Sequence, residues 1–148
     1  MISSLRIVLV EDERLFRQML AQYLRRECGC NVAGEAPDGA KGLALCLEIN
    51  PDMALIDLQL PIMDGLALAD RLHRQAPNIK LLALSSRLDT LTVYRVEHSP
   101  FRGFVDKNQS LAVLKQAIAL VMAGVEALNA MKAPVVEELA WQMGRPTR

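Results

Sequence analysis

The sequence predicts an α/β domain built on a parallel β-sheet, and two observations support this prediction. Short apolar runs that resemble strands alternate five times with segments whose apolar residues recur at helical spacing. Alternation of this kind is typical of stacked βαβ units, in which helices cross over between parallel strands. The chain has 148 residues, of which 51% are apolar, and this suffices for one domain with a substantial core.

The first half of the chain predicts three strands separated by two helices. Residues 7–10 form an apolar strand, and a helix follows whose apolar positions are Leu15, Phe16, Met19, Leu20, Tyr23 and Leu24. A short second strand spans residues 31–35 and leads into the turn Pro37-Asp38-Gly39. The second helix stops before Pro51 and has the apolar positions Ala40, Leu43, Ala44 and Leu47. Residues 53–56 form the third strand.

The second half continues the alternation. A third helix follows Asp64-Gly65, ends near Pro77 and has the apolar positions Leu66, Ala69 and Leu72. Residues 81–84 form the fourth strand, and a weaker helix follows over residues 90–97, where β-branched side chains lower the helix propensity. Residues 104–105 form the fifth strand, and Ser110 is the expected N-cap of a last helix over residues 111–122.

The final residues depart from this pattern. Pro134 could begin a short amphipathic helix, and Gly144-Arg145-Pro146 would end it. This segment is too short to bury a core of its own. We therefore expect one domain over residues 1–131, followed by a linker or an extra C-terminal helix over residues 132–148.

Composition excludes several classes of function. The 17 basic and 17 acidic residues cancel, so no overall charge favours nucleic acid or an anionic membrane as a partner. We find no secretory segment and no apolar run long enough to span a membrane, and we expect a cytoplasmic protein. Cys28, Cys30 and Cys46 are interpreted as reduced bystanders rather than metal or redox ligands.

Reactive polar side chains stand where four of the predicted strands end. Glu11-Asp12 follow the first strand, Asp57 the third, Ser85 the fourth and Asp106-Lys107 the fifth. Because the strands of a parallel sheet all point the same way, these ends meet in one crevice. The sequence therefore predicts a polar site at the carboxyl edge of the sheet.

The residues of this crevice suit metal-assisted phosphoryl transfer. A strand-end carboxylate such as Asp57 can attack phosphorus and form an acyl phosphate. Carboxylates packed together repel one another unless a cation lies among them, and Mg²⁺ takes carboxylate ligands and bridges to phosphate. Lys107 can add a second positive charge, and the Ser85 hydroxyl can donate to a phosphoryl oxygen. Taken singly, Asp57 would be interpreted as an ordinary capping residue, Lys107 as a surface lysine and Ser85 as an ordinary strand-end serine, and it is their combination that favours a site.

These residues and the stretches around them resemble a response-regulator receiver domain of two-component systems. The matching stretches are residues 7–12, 51–58, 61–65, 84–85 and 103–107. The resemblance covers about residues 5 to 130. It implies a doubly wound, CheY-like (flavodoxin-like) sheet of five parallel strands in the order 2-1-3-4-5, flanked by about five helices.

The resemblance also implies roles for the residues of the crevice. Asp57 would be the phosphoacceptor, and Mg²⁺ would be bound by Asp12, by Asp57, by Glu11 mainly through water, and by the backbone carbonyl of Gln59. Ser85 and Phe104 would form a switch pair, and Lys107 would contact the phosphate. A sensor histidine kinase or phosphotransfer protein would donate the phosphate. The domain would not be an enzyme, although its acyl phosphate would hydrolyse slowly.

Phosphorylation would then switch the surface made by the fourth helix, fifth strand and fifth helix. That surface would signal to an output domain or partner. Formation of a homodimer is a further possibility that the resemblance implies. The similarity is closest to receivers of LuxR-type helix-turn-helix regulators, through residues 15–17, 32–36 and 102–104, which implies transcriptional control.

Two places depart from the family pattern. Asn108 stands where many receivers have a cis-proline, and Pro100-Phe101 stand where small residues are usual.

Direct DNA binding is not expected from this chain. Binding to duplex DNA needs an element that fills a groove and a set of basic residues that contact phosphates. After the last predicted receiver helix we find no recognition helix, and the basic residues there are Lys132, Arg145 and Arg148. Any DNA output is expected from a separate domain or a partner.

Three other interpretations compete with a phosphorylated receiver. A hydrolase similar to the haloacid-dehalogenase family would need an acid two residues after the nucleophile, where this chain has Gln59. A nucleotide- or flavin-binding module would need a glycine loop after the first strand, where this chain has residues 11–14, which are charged. A receiver that no longer takes phosphate would act by protein contacts alone, but the complete set of acids favours phosphorylation.

Overall fold

The computed structural model describes residues 4–124, which form five strands and five helices in alternation. The strands are β1 (Arg6–Val10), β2 (Asn31–Ala36), β3 (Met53–Asp57), β4 (Lys80–Ser85) and β5 (Gly103–Asp106). The helices are α1 (Arg14–Arg26), α2 (Gly39–Ile49), α3 (Gly65–Gln75), α4 (Thr90–Glu97) and α5 (Leu111–Met122). All strands pair in parallel in the order β2-β1-β3-β4-β5, which confirms the predicted doubly wound sheet.

Four helices begin at a side chain that caps their first turn. Asp38, Asp64, Asp89 and Ser110 each accept a hydrogen bond from a backbone N–H at the start of α2, α3, α4 and α5 respectively. The first N–H groups of a helix have no partner within the helix, so these caps satisfy donors that would otherwise be unpaired. The predicted N-cap at Ser110 is confirmed.

Apolar side chains cover both faces of the sheet. Ile7 and Leu9 of β1 belong to a core cluster shared with α1 and α5. Val8 and Val10 belong to a second cluster shared with α2, α3 and α4. This division follows from the alternation of side chains along a strand. β3 lies in the centre of the sheet and is buried at every position, so its end is held firmly where Asp57 stands.

Helix α1 buries a narrower stripe than its sequence pattern predicts. Leu20 and Leu24 are buried, but Leu15 is 77% exposed and Met19 is 45% exposed. Spacing along a helix shows which residues share a side, but not how much of that side a neighbouring element covers. The start of α1 therefore presents apolar side chains to solvent.

The predicted boundary at residue 131 and the predicted helix or linker over 132–148 lie outside the described residues. Within residues 4–124, no helix has both the length and the apolar character that crossing a bilayer requires.

The first residue of α3 approaches the end of β3 too closely to carry a side chain. A Cβ atom on Gly65 would overlap the backbone oxygen of Asp57 and would lie 2.7 Å from the Cα atom of Leu58. The backbone N–H of Gly65 also donates to the carbonyl of Leu58 at 3.0 Å. Because the crowded atoms belong to the backbone, they cannot give way without displacing the strand end.

We predict that Gly65→Ala lowers the free energy of unfolding by about 1–3 kcal/mol, since overpacking would force this backbone apart. Equilibrium denaturation measures the loss. Gly34→Ala is the matched control, because its Cβ would meet only side-chain atoms of Leu45 and Ile49, which can rotate away. Losses of equal size in the two variants would contradict this explanation.

Candidate functional site

Asp57 is the last residue of β3, and only 4% of its surface is exposed. Its Oδ1 atom accepts a hydrogen bond from the backbone N–H of Gln59 at 2.9 Å. Its Oδ2 atom accepts one from the ammonium of Lys107 at 2.9 Å. Both carboxylate oxygens therefore have partners, and the side chain is held in one orientation at the carboxyl edge of the sheet.

Glu11 directly follows β1 and is fully buried. Its Oε2 atom accepts a hydrogen bond from the backbone N–H of Glu13 at 2.9 Å, and its Oε1 atom accepts one from Lys107 at 2.8 Å. Burial raises the pKa of Glu11 to about 7, and the nearby Asp57 adds to the rise, while the hydrogen bonds from Lys107 and Glu13 oppose it. One ammonium therefore does not fully compensate the negative charge of this site.

Lys107 joins the two buried carboxylates. They lie 96 and 50 positions before it in the chain, and its side chain is 16% exposed. Burial alone would lower the pKa of Lys107, but the hydrogen bonds to Glu11 and Asp57 outweigh burial and raise the pKa above its ordinary value. The lysine is therefore a permanent cation at neutral pH.

Glu11, Asp12 and Asp57 form a cluster that could hold a metal ion. One carboxylate oxygen from each lies within 4.8 Å of the others, and Asp12 is exposed whereas the other two are buried. Three carboxylates and one ammonium leave two formal negative charges in the site. Oxygen ligands with uncompensated negative charge fit Mg²⁺, which is bound through one or two carboxylates and keeps several waters. The backbone of Gln59, two residues after Asp57, could add its carbonyl.

Ser85 ends β4, but its hydroxyl is engaged within its own loop. Leu84 is the register partner of Asp57, so Ser85 lies one position further along the neighbouring strand. Its Oγ atom donates to the carbonyl of Arg87 at 2.8 Å and accepts from the N–H of Arg87 at 3.0 Å. To meet a phosphoryl oxygen, the hydroxyl would have to release the carbonyl of Arg87.

Phe104 of β5 is part of the core. Its ring is only 2% exposed and packs with Val93 and Val96 of α4 in the second core cluster. The switch role expected for Ser85 and Phe104 concerns the phosphorylated protein and stays a prediction. A large apolar ring gains from burial, and the space between β5 and α4 admits it. Phe101, which with Pro100 departs from the family pattern, is buried in the same cluster.

The turn after β5 is closed by Asn108 through hydrogen bonds. Its backbone N–H donates to Oδ1 of Asp106 at 2.8 Å, and its side-chain amide donates to the carbonyl of Ser86 at 3.4 Å. A proline at this position could not make the first of these bonds, because it has no N–H. No cis peptide bond occurs among residues 4–124. The turn that follows Lys107 is therefore held by the hydrogen bonds of Asn108, where many receivers have a cis-proline.

Two residues of α1 that no sequence motif indicated also contact the site. The Nη1 atom of Arg17 donates to the backbone carbonyl of Glu11 at 2.7 Å, and its Nε atom lies 3.6 Å from Oε1 of Glu35 in β2. The Nζ atom of Lys107 lies 4.4 Å from the centre of the Phe16 ring. Spacing placed both residues on a helix, but contacts between distant parts of the chain leave no local pattern.

An open pocket of about 390 Å³ adjoins the crevice. Asp12, Gln59 and Ser85 line it on the side of the acids, and Arg87 and Arg95 line it on the side of α4. A phosphodonor could therefore approach the acids from solvent, past cationic side chains.

The three cysteines take no part in this site. None of them forms a disulfide and all are buried, and burial raises the pKa of Cys30 to about 11 and that of Cys46 to about 12. Protonated thiols are poor nucleophiles and poor metal ligands. This supports their interpretation as bystanders.

Comparison with protein families and curated relatives gives consistent matches. Residues 7–119 match the model of the response regulator receiver domain. The transcriptional regulatory protein LiaR from Bacillus subtilis is 31% identical over 120 residues, which cover 81% of this chain and 57% of LiaR. The chain spans between 54% and 65% of the length of the curated relatives that match it first.

Solved structures are similar over most of the described fold. The signal receiver domain of NarL from Mycobacterium tuberculosis is 30% identical with a TM-score of 0.75, covering 79% of this chain and 94% of that one. A LuxR-family two-component response regulator from Aurantimonas sp. SI85-9A1 is 26% identical with a TM-score of 0.84, covering 97% of this chain and 100% of that one.

The raised pKa of Glu11 predicts how stability depends on pH in the magnesium-free protein. The unfolded chain releases this proton near pH 4.5, whereas the folded chain holds it to about pH 7. Rising pH therefore favours the unfolded state within this window. The contribution of Glu11 to the free energy of unfolding falls by up to about 3 kcal/mol before levelling off. Glu11→Gln should remove this loss.

Denaturant titrations in EDTA at several pH values between 4.5 and 8 measure the effect as the difference between wild type and Glu11→Gln. Glu48→Gln, which changes an exposed glutamate of α2, is the control and should leave the pH profile unchanged. A difference between wild type and Glu11→Gln that stays constant across this window would show that burial does not shift the pKa of Glu11.

Proposed function

The chain belongs to the response regulator receiver family, and we propose that it accepts a phosphoryl group on Asp57 from a phosphohistidine donor when Mg²⁺ is bound. Its fold is that of the receiver domains of two-component systems, and its relatives are transcriptional regulators, including members of the LuxR type. Receiver domains bind Mg²⁺ at an acidic pocket, and this chain has an acidic cluster at the corresponding edge of its sheet.

One observation supports the proposal above all others. The Asp57 carboxylate is buried, is fixed by Gln59 and Lys107, and shares an oxygen cluster with Glu11 and Asp12. A purely structural aspartate at a strand end would not need two further acids and a lysine around it. The same four side chains supply a nucleophile, metal ligands and a cation, which are the parts that phosphoryl transfer requires.

In the proposed reaction, a carboxylate oxygen of Asp57 forms a bond to phosphorus while the P–N bond of the donor's phosphohistidine breaks. The donor imidazole leaves with the electron pair of that bond. Asp12, Asp57, the backbone carbonyl of Gln59 and, mainly through water, Glu11 would hold Mg²⁺, which would supply positive charge to the oxygens of the transferred group. Lys107 lies 2.9 Å from Oδ2 of Asp57, so its ammonium is already next to the position where the phosphate would sit.

The domain is proposed to act as a switch rather than as an enzyme, with slow hydrolysis of its own acyl phosphate. The added phosphate brings negative charge and new acceptor oxygens. Ser85 would turn from the carbonyl of Arg87 towards these oxygens, and Lys107 would follow them. Because the loop after β4 leads directly into α4, this change of hydrogen-bond partners would alter the surface of α4, β5 and α5. That surface would then contact an output domain, a partner or a second copy of the chain.

A sensor histidine kinase or a phosphotransfer protein is the proposed donor. The exposed apolar side chains of Leu15 and Met19 support this, because they lie on α1, which begins directly after the acids of the crevice. Exposed apolar side chains next to a reactive site favour docking of a protein rather than of a small substrate alone. The transfer of phosphate from this donor would take place in the cytoplasm, as the sequence predicts.

We predict that a small acyl phosphate such as acetyl phosphate adds one phosphate to the wild-type protein in Mg²⁺, as measured by intact-mass spectrometry. Asp57→Asn should abolish the addition, because an amide oxygen is too weak a nucleophile to attack phosphorus. EDTA should prevent the addition to wild type. Asp70→Asn is the matched control, since Asp70 is an exposed aspartate of α3 paired with Arg74, and it should be phosphorylated like wild type.

Phosphorylation of Asp57→Asn to the level of wild type would show that another residue is the acceptor. Phosphorylation of wild type in EDTA at its full rate would show that no metal is needed. Either result would contradict the assignment of this site.

Direct DNA binding is tested separately. We propose that residues 1–131 form the receiver and that residues 132–148 are a linker or helix without a DNA-reading role. A titration with mixed-sequence duplex at low salt, where electrostatic attraction is strongest, should show no binding up to micromolar protein. Binding that weakens steeply with salt would assign a DNA role to the chain.

A further inference from the structure

The ammonium of Lys107 has a third neighbour besides its two carboxylates. Phe16, in the first turn of α1, places the centre of its ring 4.4 Å from the Nζ atom of Lys107. The ring is half-buried and packs against the core cluster between the sheet, α1 and α5. Glu11, Asp57 and the aromatic ring thus surround the ammonium, which has little contact with water.

An aromatic ring interacts with a cation differently from a carboxylate. The face of the ring carries partial negative charge and attracts a cation within about 6 Å without requiring a defined hydrogen-bond direction. A hydrogen bond weakens steeply when its angle changes, whereas attraction to a ring face survives small displacements. An ammonium that has to move between two sets of oxygens could therefore keep the ring as a constant partner.

Such a movement is required if Asp57 accepts phosphate. Lys107 now donates to one oxygen of Glu11 and one of Asp57, at 2.8 and 2.9 Å. Formation of the acyl phosphate removes the negative charge from the Asp57 carboxyl group and places charge on the phosphoryl oxygens further out. The ammonium would then follow the charge, within reach of the Phe16 ring.

We propose that Phe16 is a positioning residue for phosphoryl transfer, whose ring face holds the ammonium of Lys107 in the crevice while the ammonium shifts from the carboxylates to the phosphoryl group. Only the second part of this inference, the shift of the ammonium to the phosphoryl group, rests on the proposed function. The position of Lys107 over the ring is a property of the unphosphorylated protein and can be tested without phosphate or metal.

The competing explanation is that Phe16 only fills space in the core cluster. Both explanations expect Phe16→Leu to have an effect, because leucine removes the ring and also some packed volume. They differ for rings of nearly the same size and lower electron density. Successive fluorination of phenylalanine weakens the negative charge of the ring face with little change of shape.

The first experiment replaces Phe16 by leucine and by mono-, di- and trifluorophenylalanine, and measures the phosphorylation rate with acetyl phosphate in Mg²⁺. We expect the rate to fall stepwise with fluorination, and to fall about 3- to 30-fold in Phe16→Leu, the range expected for a cation–π contact at a partly desolvated site. Tyr23→Leu removes another aromatic ring from the same helix and core cluster, and it should retain the wild-type rate. Equal rates across the fluorinated series would overturn the proposal.

The second experiment locates Lys107 by NMR in the metal-free protein in EDTA. The Cε protons of Lys107 should be shifted upfield by the ring current of Phe16, and the shift should vanish in Phe16→Leu and persist in Tyr23→Leu. Absence of the shift in wild type would overturn the proposal even if phosphorylation proceeds. If the shift is present but no variant, including wild type, takes phosphate, the proposed function fails, and with it the role of Phe16 in the transfer.

Discussion

The position of one ammonium between two buried carboxylates is the constraint on which the rest of the site depends. Glu11 and Asp57 are almost entirely removed from water, and burying two like charges together is unfavourable unless a cation joins them. The Nζ atom of Lys107 reaches both within 2.9 Å. The lysine follows β5, whereas the carboxylates follow β1 and end β3, so the ion pairs also tie three strands together beyond the last hydrogen bonds of the sheet.

The order of the strands makes this contact possible. β4 lies between β3 and β5, so the side chain of Lys107 has to pass the end of β4 to reach Asp57. Ser85 occupies that end, with its hydroxyl bonded to Arg87 and its carbonyl accepting from the backbone N–H of Lys107 at 2.9 Å. The serine therefore supports the lysine backbone and does not compete for the acceptor carboxylate. The turn at Asn108 completes the support from the other side.

The sequence predicted the sheet, all five helices and the acids of the crevice, because these depend on local patterns and on the rule that parallel strands end at one edge. It could not predict the exposure of Leu15, because coverage of a helix depends on its neighbours. Phe16 and Arg17 were missed since their partners lie far away in the chain.

Ser85 and Phe104, the pair expected to switch, both contact the segment that contains α4 or leads into it. The ring of Phe104 packs in the same core cluster as Val93 and Val96 of α4. The hydroxyl of Ser85 holds the backbone of Arg87 through two hydrogen bonds. α4 begins three residues after Arg87, has eight residues, and is capped by Asp89. Because the Ser85 hydroxyl helps to hold the loop that enters this short helix, α4 would be affected if that serine turned to a phosphate.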